Sequence, residues 1–116
     1  MSPTQFRRIA LSFPDTEESA HMGHPDFRVR NRIFASLLGD KEQTAMVKLT
    51  PDQQAAFMTQ HPTALSPASG AWGRAGATMI TLKSIRAAPL KHALLAAWRN
   101  TAPKRLVDSL GPSDPD

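Results

Sequence analysis

The sequence predicts an α+β domain in two layers: one antiparallel sheet of about five strands, with helices mainly on one face. Three observations lead there. Two segments, at the N-terminus and after Leu49, open with paired helix-start signals. Between Glu17 and Leu49, and again over Thr78–Lys83, apolar and polar residues alternate. After Pro89, apolar residues recur with helical spacing as far as Trp98. The order is helix, strands, helix, strand, helices, with no internal repeat and no linker.

Each element has its own warrant. Ser2 caps the first helix, Pro3 suits its first position and Gln5 completes a capping box. Phe6, Ile9, Ala10 and Phe13 form its apolar stripe, with Arg7 and Arg8 outside, and Pro14 stops it. A strand is expected around Ser19–Met22. Phe27 and Val29 alternate with Arg28 and Arg30 in the next one, and Asn31-Arg32 turns into Ile33–Leu38. Gly39-Asp40 breaks that strand before Thr44–Leu49. Thr50-Pro51-Asp52-Gln53 starts a helix that runs to Gln60 and ends before Pro62. Residues 62–76 are rich in Pro, Ser, Ala and Gly and read as a loop. Leu90, Ala93, Leu94, Ala97 and Trp98 share one face of the main helix, and Leu106, Val107 and Leu110 mark a short last one. The expected core is Phe6, Ile9, Phe27, Val29, Ile33, Leu37, Val47, Phe57, Ile80, Leu82, Leu94 and Trp98.

Size and composition set the class. A chain of 116 residues makes one hydrophobic core, expected over residues 1–111, with a disordered acidic tail over 112–116. No apolar run reaches the roughly 18 residues that a membrane helix needs, and the N-terminus lacks the core of a signal peptide. Without cysteine there is no disulfide, thiolate nucleophile or Cys-based zinc site, and the expected setting is the cytoplasm.

Charge is unevenly spread. Residues 1–52 balance seven basic against seven acidic side chains. From Gln53 to Val107 there is no Asp or Glu, while Arg74, Lys83, Arg86, Lys91, Arg99, Lys104 and Arg105 give +7. That half has no carboxylate for acid–base work or for Mg²⁺, and its field attracts anions.

Few motifs carry chemistry. His21-Met22-Gly23-His24 supplies two imidazoles without a third ligand, and reads as a turn into Pro25 rather than a metal site. Gly70-Ala71-Trp72-Gly73 matches the bare G-x-x-G of KH loops, but it does not join two helices. No dinucleotide fingerprint, P-loop or nucleophile elbow is present. Asp15, Glu17 and Glu18 read as surface carboxylates. No catalytic constellation emerges, so the expectation is a protein that is not an enzyme and needs no cofactor.

Two sets of residues are candidates for binding. Arg28 and Arg30, two apart, are expected on one strand face, with Arg32 beyond the turn. They either grip phosphates or form a solvated face. Trp72 and Arg74 lie in a glycine-flanked loop, where Trp72 is expected to fold back as a lid over the sheet and Arg74 to project to solvent. The rival reading is an exposed Trp72 that stacks on bases. For DNA binding, Arg28, Arg30, Arg74, Lys83 and Arg86 should form one continuous face, far from Asp114 and Asp116.

With these segments in place, the chain resembles the MmcQ/YjbR family of small bacterial proteins over nearly its whole length. The resemblance is carried by Ala10-Leu11-Ser12-Phe13-Pro14, Pro25-Asp26-Phe27-Arg28-Val29, Ile33-Phe34-Ala35-Ser36-Leu37 and Val47-Lys48-Leu49-Thr50-Pro51. It continues through Gly70-Ala71-Trp72-Gly73-Arg74, Met79–Lys83, Ala97-Trp98-Arg99 and Ala102-Pro103-Lys104-Arg105-Leu106. It implies a curved antiparallel sheet with helices on one face. It also implies the label DNA-binding, which rests on likeness to a phage transcription factor's double-wing domain and is a fold analogy. Ala77 departs from the aromatic expected in many relatives. The expected function is thus a non-enzymatic DNA-binding module acting through phosphate contacts. The alternative is a protein-interaction or dimerisation module.

Overall fold

A computed structural model describes residues 1–110; the tail expected at 112–116 lies outside them. Both helix-start signals are realised atom for atom. In α1 (Pro3–Ala10) the Ser2 hydroxyl accepts from the Gln5 N–H at 3.1 Å, and the Gln5 side chain accepts from the Ser2 N–H at 2.8 Å. In α2 (Pro51–Gln60) Thr50 and Gln53 repeat the exchange at 3.2 and 2.9 Å. Each box satisfies two backbone donors that a bare helix end leaves open.

Six strands form one antiparallel sheet: β1 (Thr16–His21), β2 (His24–Val29), β3 (Arg32–Leu38), β4 (Thr44–Lys48), β5 (Leu65–Pro67) and β6 (Ala77–Thr81). Their order is β1-β2-β3-β4-β6-β5, so β1 and β5 are the borders. β5 and α3 (Gly70–Arg74) occupy the stretch read above as a loop. A three-residue strand ending in proline and a five-residue helix holding two glycines are too short to show a period. β1 begins earlier than expected because five of its six side chains are exposed, which leaves no alternation to read. The main helix, α4 (Ala87–Thr101), starts two residues before Pro89, which its first turn tolerates. α5 (Lys104–Ser109) follows.

Register shows which face is inside. Phe27 pairs with Ala35, Ala35 with Val47, and Val47 with Thr78, so these four share one face. The same face carries Leu37, Ala45, Ile80 and Leu65. Helices α1, α2 and α4 pack on it, and Phe6 meets Phe27 with ring centroids 5.4 Å apart. Trp98 is fully buried, its ring 6.1 Å from Phe13, and its Nε1 donates to the Pro14 carbonyl at 3.1 Å. Nine of the twelve expected core residues are buried; Ile9, Ile33 and Phe57 are only half-buried.

Ile33 has a specific reason. Between Phe27 and Arg28 the pairing jumps from Ala35 to Ile33, leaving Phe34 as an extra residue on β3. This bulge turns Phe34 inward, where it is fully buried beside Ala35, and frees Ile33 toward the end of the sheet.

Candidate nucleic-acid interface

The β2–β3 hairpin is closed by Arg30 and Asn31, both left-handed at φ 50° and 67°. Two such residues make the tight turn whose twist suits a hairpin. Arg30 is therefore a turn residue, not a strand neighbour of Arg28 as expected above, and its guanidinium meets Asp15 at 2.7 Å. Arg28 remains on β2 and forms a two-pronged pair with Asp26, at 2.8 and 3.0 Å. Asp26 is almost wholly buried, whereas a quarter of the Arg28 side chain is exposed. The bond to Asp26 holds the guanidinium above its ordinary pKa, against the opposing effect of burial.

Arg28 thus serves the fold first. Arg28→Ala is expected to lower the melting temperature clearly more than Arg32→Ala, because it leaves a buried carboxylate without its cation. Removing Asp26 as well should recover part of the loss, and thermal unfolding of the two single variants and the double variant checks this.

The bulge and the turn bring Arg28, Asn31 and Arg32 against the end of β4. Lys48 closes that strand and is exposed. The Lys48 carbonyl accepts from Asn100 Nδ2 at 3.0 Å, and the same nitrogen donates to Gln53 Oε1 at 2.7 Å. One amide pair thereby locks the end of α4, the cap of α2 and the end of β4 together. The result is a cleft of about 420 Å³ lined by Arg28, Asn31, Arg32, Lys48 and Asn100. Among the described residues, Arg32 and Lys48 have no carboxylate within ion-pair distance.

A second cleft, of about 360 Å³, lies on the other side of Lys48 and is lined by Leu49, Ala71, Trp72, Ala75 and Ala77. Trp72 does not fold back over the sheet: it is 65% exposed. The reason is the short helix α3, which seats its Gly73, not its Trp72, against the body of the protein. A Cβ on Gly73 would overlap the Ala68 carbonyl, and Gln54 Nε2 donates to the Gly73 carbonyl at 3.1 Å. Trp72 is left exposed beside that contact. Arg74 is exposed but lies two residues along the helix from Trp72, so the two do not face the same way.

The remaining cations do not join them. β4 and β6 pair from Thr44–Thr81 at one end to Lys48–Ala77 at the other, four residue steps or about 13 Å of strand. Lys83 and Arg86 follow Thr81, beyond the Thr44 end, where the Leu82 N–H donates to the Gln43 carbonyl. The single basic face expected from the sequence is therefore not formed. Arg28, Arg32 and Lys48 gather at one end of the sheet and Lys83 and Arg86 at the other, because β6 separates them. Asp114 and Asp116 lie outside the described residues.

Lys48 escaped the sequence reading because it belongs to the charge-balanced half of the chain; its place just before a helix cap was the available signal. The surface carboxylates also have partners that sequence distance hid. Arg7 Nε reaches Glu18 at 3.0 Å while its terminal nitrogens reach Glu42 at 3.0 and 3.1 Å. His21 and His24 face each other across the β1–β2 turn. Among the described residues no group of three His, Cys, Asp or Glu could hold a metal, and no helix is long and apolar enough to cross a membrane.

Fold and clefts define a small α+β domain with an open antiparallel sheet and a cation-lined end. The chain belongs to the YjbR family, whose model matches residues 11–100. It is similar to the crystal structure of the Deinococcus radiodurans protein DR2400, described by the domain DUF419. The TM-score is 0.74 at 17% identity, over 97% of this chain and 90% of that one. At that identity the likeness bears on the fold alone. No curated protein matches the chain in sequence.

Proposed function

We propose that this protein is a non-catalytic, cytoplasmic DNA-binding module that holds the phosphate backbone at the Lys48 end of its sheet. The observation that carries the reading is the pair Arg32 and Lys48. Both line one cleft, with no carboxylate partner among the described residues and with Arg28 beside them. Cations left unpaired in a concave site focus a positive potential that raises the local concentration of anions and favours phosphate over neutral partners. Asn31 adds a polar side chain that can donate to phosphate oxygens, while both amide hydrogens of Asn100 are spent on Lys48 and Gln53. No base-reading helix enters this account, so affinity is expected to depend little on sequence.

Titration of labelled DNA at two salt concentrations tests the proposal. Two phosphate contacts, by the unpaired Arg32 and Lys48, imply a loss of roughly 7- to 12-fold between about 50 and about 200 mM salt. Arg32→Ala and Lys48→Ala should each weaken binding and flatten that dependence, for every sequence alike. Lys83→Ala, at the far end, should change neither. DNA binding that survives both cleft variants but fails in Lys83→Ala would move the site to the other end, and absence of binding at low salt would end the DNA reading.

A further inference from the structure

We infer that the site takes a single strand rather than a duplex, with one unstacked base against Trp72 and the adjoining phosphates on Lys48, Arg32 and Arg28. The inference rests on the proposed phosphate site and adds the second cleft to it. Lys48 is the hinge of the argument, because it lines both cavities. A phosphate held by Lys48 leaves its neighbouring base within the Trp72 cleft and its neighbouring phosphate within the arginine cleft.

The chemistry of the two clefts is complementary to the two halves of a nucleotide. Beside the arginines the lining is mainly cationic and polar, with Ile33 as its apolar member. Beside Trp72 it is Leu49, Ala71, Ala75 and Ala77, with Lys48 as its one charge. Every phenylalanine is buried or half-buried and Trp98 is fully buried, so Trp72 is the exposed aromatic of the described residues. It is not on a loose loop. Gln54 ties α3 to β6 by donating from Nε2 to the carbonyls of Gly73 and Ala77, at 3.1 and 3.0 Å. An exposed aromatic ring on an anchored helix, beside a cation, is what base stacking needs, and stacking tolerates any base. A duplex keeps its bases stacked on one another and offers Trp72 no face.

Intrinsic tryptophan fluorescence provides a direct readout, since Trp98 is shielded and Trp72 is not. Three probes would be titrated at low salt: an oligothymidine of about eight nucleotides, an abasic oligomer of the same length, and a duplex. Oligothymidine should quench the fluorescence and bind roughly 5- to 100-fold more tightly than the abasic strand. Trp72→Ala should abolish both the quench and that preference while leaving abasic affinity and melting temperature unchanged; Trp72→Phe, which keeps a ring, should retain part of the preference. Equal affinity for oligothymidine and the abasic strand without quenching would overturn the inference yet leave the phosphate site standing. So would a duplex bound more tightly than the single strand. Failure of all three probes to bind would remove both.

Discussion

Trp98→Ala is expected to be strongly damaging, lowering stability by about 3–5 kcal/mol. The ring is fully buried between α4 and the segment after α1, touching Phe13, and its N–H is spent on the Pro14 carbonyl. Truncation opens a cavity, and it also strips that carbonyl of its donor. For a domain of this size the melting temperature should fall by roughly 12–20 °C. Trp98→Phe should lose less, since most of the volume stays and the loss is the hydrogen bond plus a small cavity. Trp72→Ala, by contrast, should melt with the wild type. Equal losses for the two tryptophans in thermal unfolding would contradict the burial assigned to them.

The second large effect is expected at Gly76. Its φ of +115° lies where side-chain-bearing residues are rarely found, and a Cβ there would overlap the Leu49 carbonyl. Both obstacles are backbone, so no side-chain rotation relieves them. Gly76→Ala should therefore cost about 2–6 kcal/mol, combining local strain with overpacking. Chemical denaturation measures it. The damage should spread to function, since Leu49 and Ala77, the neighbours of this contact, line the Trp72 cleft. A Gly76→Ala protein with unchanged stability would mean that the close approach of the β4–α2 junction to the start of β6 is not as described.

The sequence disclosed elements whose signals are local. Ser2 with Gln5, and Thr50 with Gln53, announce their helices because a cap is a contact between near neighbours. Leu90, Ala93, Leu94, Ala97 and Trp98 announce α4 because its buried stripe has helical spacing. What stayed hidden depends on partners distant in the chain. The bulge at Phe34 is a property of the pairing between β2 and β3, so strict alternation put Ile33 in the core and missed Phe34. The seating of α3 depends on Gln54, far back in the chain, so the sequence suggests a lid at Trp72 where the structure exposes it. Counting charge along the chain likewise grouped Lys83 and Arg86 with the other cations, though β6 carries them to the far end of the sheet from Arg28, and passed over Lys48. The family was legible because its segments follow one another in order, which needs no folding to see.

The borders of the sheet have a further consequence. β1 presents Glu17 and Glu18 along its length, with Glu18 clamped by Arg7, and β5 is three residues long and ends in Pro67, which has no N–H to offer. A foreign strand seeking to continue the ladder meets negative charge on one side and a truncated, donor-poor margin on the other. Among the described residues, both borders thus disfavour continuation of the ladder and leave side chains displayed at the rim as the accessible contacts.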